Sequence, residues 1–483
     1  MATEPSIHEL TAAGLARRIR DGELAPTDVV EATLERIHDR NDRTNAFVTV
    51  TDELAREAAK EAEAAIERGD PLGPLHGVPV AIKDLNDVAG VRTTNGSKLF
   101  EEFVAEENDL FVDRLLEAGA IVVGKTNSPE FGLGCTTDNR VAGPTGSPFD
   151  PEKISGGSSG GSGAALGERL VPIASGSDAG GSIRTPSSCC GVYGLKPTFG
   201  LVARPSRPNA FSHHSPFVHL GPMARTVEDA ALMLEVMAGP HPDDPLSLPE
   251  IDADYVAATE RSVETFSIAY TPDFGIYPVD RAVRDVLDEA VPAFEAAGAD
   301  VEAIDPPIEL TNDEILEAYY DFAVVSWEAL FDGLAEEYGF DPRGEDKELL
   351  AESTVSTVFD RDPITTRRYK AAERVQTQVY DAIEALLAEH DVIALPTLAV
   401  PPFEIGEFPE EIEGQPIEPR RGWLLTQLCN FSGHPAASIP AGFTDDGLPI
   451  GLQLIGSRFA DDKVLAASAA FERQRPWHDA YPE

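Results

Sequence analysis

The stretch that carries most information about the fold spans residues 155–200 and reads SGGSSGGSGAALGERLVPIASGSDAGGSIRTPSSCCGVYGLKPTFG. Two loops rich in glycine and serine, around Ser158 and Ser182, flank a short apolar run at residues 171–174. The run predicts a β-strand that leads directly into the second loop. Glycines let such a loop adopt backbone conformations that other residues avoid. The strand and glycine turn can therefore expose the Ser182 hydroxyl beside free backbone N–H groups, which suit a developing oxyanion.

Other interpretations of these loops are weaker. A flexible Gly/Ser linker is disfavoured because helix-like and strand-like segments follow at once. A P-loop for phosphate needs Gly-Lys-Ser/Thr after its glycines, and residues 155–163 contain no lysine. Ser159 formally fits the nucleophile pattern G-x-S-x-G, but residues 147–153 predict a loop where that motif requires a strand. A structural turn with incidental serines remains open for the second loop considered alone.

Lys83 ends a second short apolar run, GVPVAIKD at residues 77–84. A lone lysine is usually a solvated surface charge. A lysine that closes a buried strand loses hydration, which disfavours its charged form and lowers its pKa. A neutral lysine can then serve as a base near neutral pH.

Helices alternate with short apolar strands along the chain, which indicates an α/β sheet with helices on its faces. Residues 280–297, 313–336, 365–389 and 461–474 fit long helices, and three further helical stretches are predicted before residue 70. Strands are predicted at 78–83, 120–123, 171–174, 267–270, 392–395, 437–439 and 450–454. We expect one large domain with long inserted loops, since neither loop-rich stretch, 239–254 or 404–421, resembles a linker between autonomous domains.

The charge balance is strongly acidic. The chain of 483 residues has 38 basic and 84 acidic side chains, a net charge of −46, and only nine of the basic residues are lysine. Because the acids are dispersed, they predict an acidic surface that tolerates high salt, as in a salt-adapted organism. An ordinary acidic cytosolic protein is the alternative. Either surface disfavours direct binding of nucleic acid, since phosphate requires lysine and arginine.

The sequence predicts a cytoplasmic protein with no membrane contact, because it shows neither a long apolar window nor a secretory signal. Its four cysteines lack C-x-x-C spacing and predict small buried thiols in a reducing compartment. His214 and His219 have a spacing seen in zinc fingers, but no suitable cysteine pair accompanies them. We interpret these two and His213 as surface or pocket-rim residues, and predict no metal site.

Several segments together resemble the amidase signature family. They are GVPVAIKDL (77–85), KTNSPEFGLG (125–134), SGGSSGGSGAAL (155–166), GSDAGGSIRTPSSCCGVYGLKPTFG (176–200), GPMARTVEDAALML (221–234), PTLAVPP (396–402) and NFSGHPAASIPAGF (430–443). The resemblance implies a single α/β domain whose central mixed β-sheet is covered by helices on both faces. Within residues 1–483 we expect a helical part (1–70), a signature core (71–235) and more variable substrate-side parts (240–330 and 340–420).

The resemblance also implies a catalytic arrangement. Ser182 would be the nucleophile, Ser158 a bridging serine after a cis peptide bond from Gly157, and Lys83 the base. The expected oxyanion hole consists of backbone N–H groups, those of Ser182, Ala179, Gly180 and Gly181. Three residues have expected supporting roles: Ser159, Asp178 and Arg184. An exposed salt bridge is the alternative for the last two. No cofactor is implied, since this relay needs neither metal nor nucleotide.

Substrate preference is predicted from departures within the family. Glutaminase subunits of tRNA-dependent amidotransferases usually carry an acidic residue where an ungapped placement puts Trp423. The apolar run Trp423, Leu424, Leu425 there suggests a pocket for a hydrophobic or aromatic acyl group, with core packing in a helix as the alternative. The candidate pocket residues are Gly134, Cys135 and Trp423. We therefore expect a free-standing amidase acting on a small carboxamide, with a homodimer compatible with the sequence. The two alternatives are a glutaminase subunit of an amidotransferase, or an inactive scaffold subunit.

Overall fold

The short apolar runs become strands of one large sheet in the computed structural model, which describes residues 5–207, 209–211 and 217–482. The strands in chain order are β1 (Phe47–Val50), β2 (Pro79–Lys83), β3 (Ile121–Thr126), β4 (Ile173–Asp178), β5 (Tyr193–Lys196), β6 (His219–Ala224), β7 (Ser267–Tyr270), β8 (Asp300–Ala303), β9 (Val392–Pro396), β10 (Glu411–Ile412), β11 (Gln415–Pro416), β12 (Ala436–Phe443) and β13 (Pro449–Gly456). In these ranges, β10 and β11 form a separate hairpin and the others form an 11-stranded sheet.

The large sheet is mixed, as expected. Its strand order is β1-β3-β2-β4-β6-β5-β12-β13-β9-β7-β8. β2 runs parallel to both β3 and β4, whereas β4 pairs antiparallel with β6. On the other side, β12 and β13 form an antiparallel pair. Because β2 and β4 are parallel neighbours, their carboxyl ends meet at one edge, which brings Lys83 close to the loop that follows β4.

The helices pack against this sheet. They are α1 (Ala12–Arg20), α2 (Pro26–Thr44), α3 (Asp52–Arg68), α4 (Leu110–Glu117), α5 (Gly160–Gly167), α6 (Arg184–Cys190), α7 (Val227–Met237), α8 (Tyr255–Ala258), α9 (Arg281–Ala290), α10 (Pro292–Ala296), α11 (Asn312–Tyr338), α12 (Glu352–Val358), α13 (Thr366–Leu387), α14 (Gln427–Ser432) and α15 (Asp461–Gln474). The single helix predicted over 280–297 is divided at Pro292, whose ring occupies the first turn of α10 and cannot donate a backbone hydrogen bond. The predicted α/β fold is confirmed.

Two helices position the site although their sequences are poor helix formers. Every residue of α5, which reads GGSGAALG, is buried. A Cβ at Gly161 would lie 2.3 Å from the backbone nitrogen of Asn127, so only glycine lets α5 approach the end of β3 this closely. α6 is likewise buried throughout and follows the loop that carries Ser182. Tertiary packing rather than intrinsic propensity therefore holds these helices.

No helix within the described ranges is long and apolar enough to cross a membrane.

Candidate active site

Lys83 is the last residue of β2 and is completely buried. Its Nζ donates hydrogen bonds to Ser158 Oγ at 2.7 Å and to Ser177 Oγ at 2.9 Å. Its backbone N–H donates to Ser175 Oγ at 2.9 Å, which ties the end of β2 to β4. The side chain is therefore held between the two glycine-rich loops.

Burial lowers the pKa of Lys83 to about 7, although the negative charge of Asp178 acts in the opposite direction. The cause is desolvation, which penalises the ammonium form in a site shielded from water. A substantial fraction of neutral amine is then available near pH 7, and its lone pair can accept the proton of the Ser158 hydroxyl.

Ser158 lies two residues before α5, after a Gly157–Ser158 peptide bond that is cis in the structure. Its side chain is buried but reaches the wall of a cavity. The backbone N–H of Ser159 donates to the carbonyl of Ser182 at 3.1 Å. This bond joins the two loops, and so places both serines beside the same cavity.

Ser182 is half-buried and lines that cavity together with Ser158. Its hydroxyl makes no hydrogen bond to any residue that the structure describes. The Ser182–Ser158 link of the expected relay is therefore not closed in the structure, whereas the Ser158–Lys83 link is. Catalytic hydrogen bonds commonly tighten only when substrate is bound.

The loop before Ser182 is organised by the Asp178 carboxylate. Asp178 Oδ1 accepts the backbone N–H of Gly181 at 2.8 Å, and its Oδ2 accepts that of Ile183 at 3.1 Å. The expectation that Gly181 contributes to an oxyanion hole needs correction, because its N–H is already engaged. Within the described chain, the backbone N–H groups of Ala179, Gly180 and Ser182 have no hydrogen-bond acceptor and remain available.

Arg184 holds the carboxylate from the other side. Its Nη2 lies 2.9 Å from Asp178 Oδ1, and both side chains are completely buried. The alternative of an exposed salt bridge is therefore wrong. Arg184 also donates to the Thr426 carbonyl, to Gln453 and to Asn430, which lie far away in the sequence. Burial would raise the pKa of Asp178, but the charge of Arg184 holds that pKa well below its ordinary value.

Two residues at this site were missed in the sequence analysis. Ser177 is the second hydrogen-bond partner of Lys83 Nζ, and it lines the cavity. Thr426 Oγ1 donates to the Gly180 carbonyl at 2.7 Å and so supports the loop before Ser182. Ser177 stands in the same glycine-rich loop as Ser182, which is a signal that could have identified it. Thr426 offers no such signal, because its contact depends on a pairing distant in sequence.

The cavity beside Ser158 and Ser182 has a volume of about 300 Å³. Much of its wall is apolar, from Phe131, Leu133, Trp327, Leu330 and Leu334. All of these except Phe131 and Leu133 belong to α11. A neighbouring cavity of about 220 Å³ shares Leu133 and Arg421 with the first.

The predicted pocket residues lie elsewhere. Gly134 and Cys135 line the neighbouring cavity rather than the one that contains Ser182. Trp423 lines neither. Its indole is completely buried, packs edge-on against Phe403 at 5.1 Å between ring centroids, and donates to the Pro419 carbonyl at 3.1 Å. The prediction that Trp423 contacts substrate is corrected to core packing, since its hydrogen bond and ring contact direct it into the protein.

His219 is buried in β6 rather than exposed at a rim, contrary to the prediction. Its Nδ1 lies 3.1 Å from the carbonyl oxygen of Asp178 and its Nε2 lies 3.3 Å from Lys196 Nζ. Burial lowers its pKa well below the ordinary value, so the ring is neutral. His213 and His214 lie outside the described residues. Among residues 5–207, 209–211 and 217–482, no group of three or more histidine, cysteine or acidic side chains could hold a metal ion.

Comparison with known proteins gives a consistent result. The Amidase family model matches residues 28–465. An acylamidase of Rhodococcus erythropolis is 37% identical over 99% of this chain and 98% of its own. A glutamyl-tRNA(Gln) amidotransferase subunit of Carboxydothermus hydrogenoformans is 35% identical over 99% of both chains.

Solved structures agree with these sequence matches. The crystal structure of a bacterial aryl acylamidase, described as an amidase signature enzyme, superposes with a TM-score of 0.94 at 36% identity, over 98% of each chain. A 6-aminohexanoate cyclic dimer hydrolase superposes with a TM-score of 0.85 at 28% identity, over 99% of each chain. The family model, the relatives and the fold together show that this chain belongs to the amidase signature family and is a hydrolase of carbon–nitrogen amide bonds.

Proposed function

We propose that this hydrolase is a free-standing amidase that cleaves small carboxamides through an acyl-enzyme on Ser182, with a proton relay through Ser158 to Lys83. The observation that carries the proposal is the 2.7 Å contact between the buried Lys83 Nζ and Ser158 Oγ. Burial also lowers the pKa of this lysine to about 7, so Lys83 is a base suited to neutral pH. In the proposed relay, Ser158 connects this base to the nucleophile Ser182.

In the proposed first step, Ser182 Oγ attacks the amide carbon. Its proton passes to Ser158 Oγ while the proton of Ser158 passes to neutral Lys83. The carbonyl oxygen becomes an oxyanion, which the free N–H groups of Ala179, Gly180 and Ser182 are suited to receive. Collapse of this intermediate breaks the carbon–nitrogen bond, and the relay returns a proton to the departing amine or ammonia.

In the second step, water attacks the ester formed on Ser182. The same relay accepts a proton from that water and returns one to Ser182 Oγ, which releases the carboxylic acid. Asp178 and Arg184 hold the loop in shape, and Ser159 ties it to the loop of Ser158. We assign these three residues supporting roles.

The apolar wall supplied by α11 supports an aromatic or bulky hydrophobic group on the substrate. Trp327, Leu330 and Leu334 contribute to that wall, beside Tyr319 of the same helix. The acylamidase relatives favour the same substrate class. The substrate-side role predicted for residues 240–330 is supported by α11, which begins within that range. Residues 340–420 also remain assigned to the substrate side, whereas 1–70 and 71–235 are proposed as the helical part and the core.

A glutaminase subunit of a tRNA-dependent amidotransferase is the second candidate, favoured by relatives such as that of Carboxydothermus hydrogenoformans. Such a protein would need partner subunits. Glutamine carries an ammonium group besides its carboxylate, and the described cavity lining offers that group a single acidic side chain, Glu337, among three arginines, which makes glutamine a poor match. An inactive scaffold is disfavoured by the intact contact between Lys83 and Ser158.

The proposed cellular setting is a salt-rich cytoplasm. The net charge of −46 and the scarcity of lysine support salt adaptation. All four cysteines are free and buried, which suits a reducing compartment. Assembly into a homodimer remains a proposal that depends on measuring the mass in solution.

The test is amine or ammonia release from aliphatic amides, aromatic amides and glutamine in high-salt buffer. Wild type and Ser182→Ala are run in parallel. Turnover of simple or aromatic amides that disappears in Ser182→Ala is the expected result. Turnover of glutamine alone would instead support the amidotransferase role. No turnover, together with no labelling of Ser182 by a serine-reactive phosphonate, would refute the proposal.

A further inference from the structure

Arg421 has a guanidinium that is buried but lacks a carboxylate partner. The residue is 7% exposed and lines both the catalytic cavity and the neighbouring one. Its Nη2 donates to the Leu133 carbonyl at 3.0 Å. No acidic side chain forms an ion pair with it within the described parts of the chain. The Glu418 carboxylate, which is near, accepts the backbone N–H of Arg421 at 2.6 Å instead.

Aromatic rings compensate this charge only in part. The guanidinium carbon lies 5.0 Å from the ring centroid of Tyr319 and 5.9 Å from that of Tyr320. Such cation–π contacts offset some of the cost of burying the charge. The Nε and Nη1 groups still make no hydrogen bond to any residue described in the structure. A guanidinium stays protonated, so the wall of the cavity keeps a positive charge with unused donors.

Arg421 stands close to the reacting centre. Tyr319, which the guanidinium contacts, also packs against the loop before Ser182, since a Cβ at Gly180 would lie 2.7 Å from Tyr319 Oη. A substrate group directed toward Arg421 can therefore belong to the same small molecule whose carbonyl faces Ser182. Arg421 therefore lies on the wall that the two cavities share.

The charge pattern around the cavity is opposite to that of the whole protein. The whole chain has 84 acidic and 38 basic side chains. The charged side chains in the described cavity lining are instead three arginines and one glutamate. Arg207 pairs with Asp243 at 2.8 Å. Arg204 has Asp109 and Asp244 nearby, as Arg421 has Glu418, and neither guanidinium forms an ion pair with a described residue. Arg421 differs because it contacts Tyr319, which packs against the loop before Ser182, so its charge is placed to meet a ligand at that loop.

We propose that Arg421 binds a carboxylate on the substrate, so that the preferred amides carry an acid group in addition to the scissile bond. The inference rests on the proposed function and specifies its substrate class. A planar carboxylate can accept two parallel hydrogen bonds from a guanidinium, which gives orientation as well as affinity. The apolar wall of α11 would then hold the hydrocarbon or aromatic part of the same molecule.

The test uses two pairs of amides of matched shape at constant ionic strength. 4-Acetamidobenzoate and 4-methylacetanilide place the acid on the amine side, and succinamate and 4-oxopentanamide place it on the acyl side. For wild type we expect kcat/KM of the acid to exceed that of its neutral match by about 10- to 100-fold in at least one pair, the range of a hydrogen bond to a charged group. Arg421→Gln should abolish this preference, so that the ratio of kcat/KM for each acid to that for its neutral match falls to about one.

Arg420→Gln is the matched control. This variant removes the same charge from the adjacent residue. Arg420 Nη1 donates to Thr357 Oγ1 at 3.0 Å, and Arg420 lines the neighbouring cavity but not the catalytic one. The control should keep the acid preference. Thermal unfolding in high salt verifies that each variant is folded.

Equal kcat/KM for acids and neutral amides in wild type would overturn the inference and leave the proposed amidase intact. An equal loss for both substrate classes in Arg421→Gln would also overturn it, because that outcome indicates a purely structural wall. Binding to Ser182→Ala, measured by calorimetry, does not depend on turnover or on a variant of Arg421. Equal affinity for succinamate and 4-oxopentanamide, and for the aromatic pair, would refute the carboxylate site even if no amide were hydrolysed.

Discussion

Replacing Lys83 by arginine tests the proton relay directly. The fall of the Lys83 pKa from its ordinary 10.5 to about 7 raises the neutral fraction at pH 7 from about 1 in 3,000 to about one half. This shift corresponds to about 5 kcal/mol against the charged form in the buried site. Arginine cannot lose its proton at this pH, so Lys83→Arg keeps the charge and removes the base. General-base catalysis contributes about 10²- to 10⁴-fold, and we expect kcat to fall by that factor.

The assay is the pH dependence of kcat/KM for the best amide of the panel, from pH 5 to 9 in high salt. Because Lys83 must be neutral to act, wild-type activity should rise with pH, with a midpoint near the pKa of about 7, and then become constant. Lys153→Arg is the control, since its Nζ binds Glu404 at 2.6 Å at the surface, and it should match wild type. Wild-type turnover in Lys83→Arg, or a flat wild-type profile across pH 7, would refute the reasoning.

Three further predictions concern the loop before Ser182 and the surface. Asp178→Asn should leave the Arg184 guanidinium buried without its counter-ion and so lower the free energy of unfolding by about 3–5 kcal/mol. Denaturant titrations at high salt measure this change, and a loss below about 1 kcal/mol would contradict the prediction. Gly181→Ala should lose most activity, because φ of Gly181 is 122° and a Cβ there would lie 2.0 Å from Thr426 Oγ1. Gly414→Ala is the control and should retain activity, since Gly414 also has a positive φ but no atom lies within 4 Å of a Cβ there. Equal activity of the two variants would count against the predicted loop geometry. Activity and helical circular dichroism should decline on dilution into low salt and return in molar KCl, since the net charge of −46 is then screened; a flat salt response would remove the salt-adapted interpretation.

Local sequence patterns were sufficient for much of the fold. Short apolar runs predicted β2, β3 and β4, and the helical spacing of 461–474 matches α15. Strand β6 was missed because its six residues include Gly221 and Pro222, which are typical of turns. That strand forms because its partners β4 and β5 bury it on both sides, an arrangement no local pattern reports.

The sequence by itself determined which groups are present at the site: a lysine that ends a buried strand, and two serines in glycine-rich loops. Only the tertiary structure decided how they are arranged. It closes the Lys83–Ser158 contact, engages Gly181 with Asp178, and turns Trp423 into the core. The physical reason is that strand periodicity and glycine conformation act over a few residues. Hydrogen-bond partners, desolvation and cavity walls depend instead on segments brought together from distant parts of the chain.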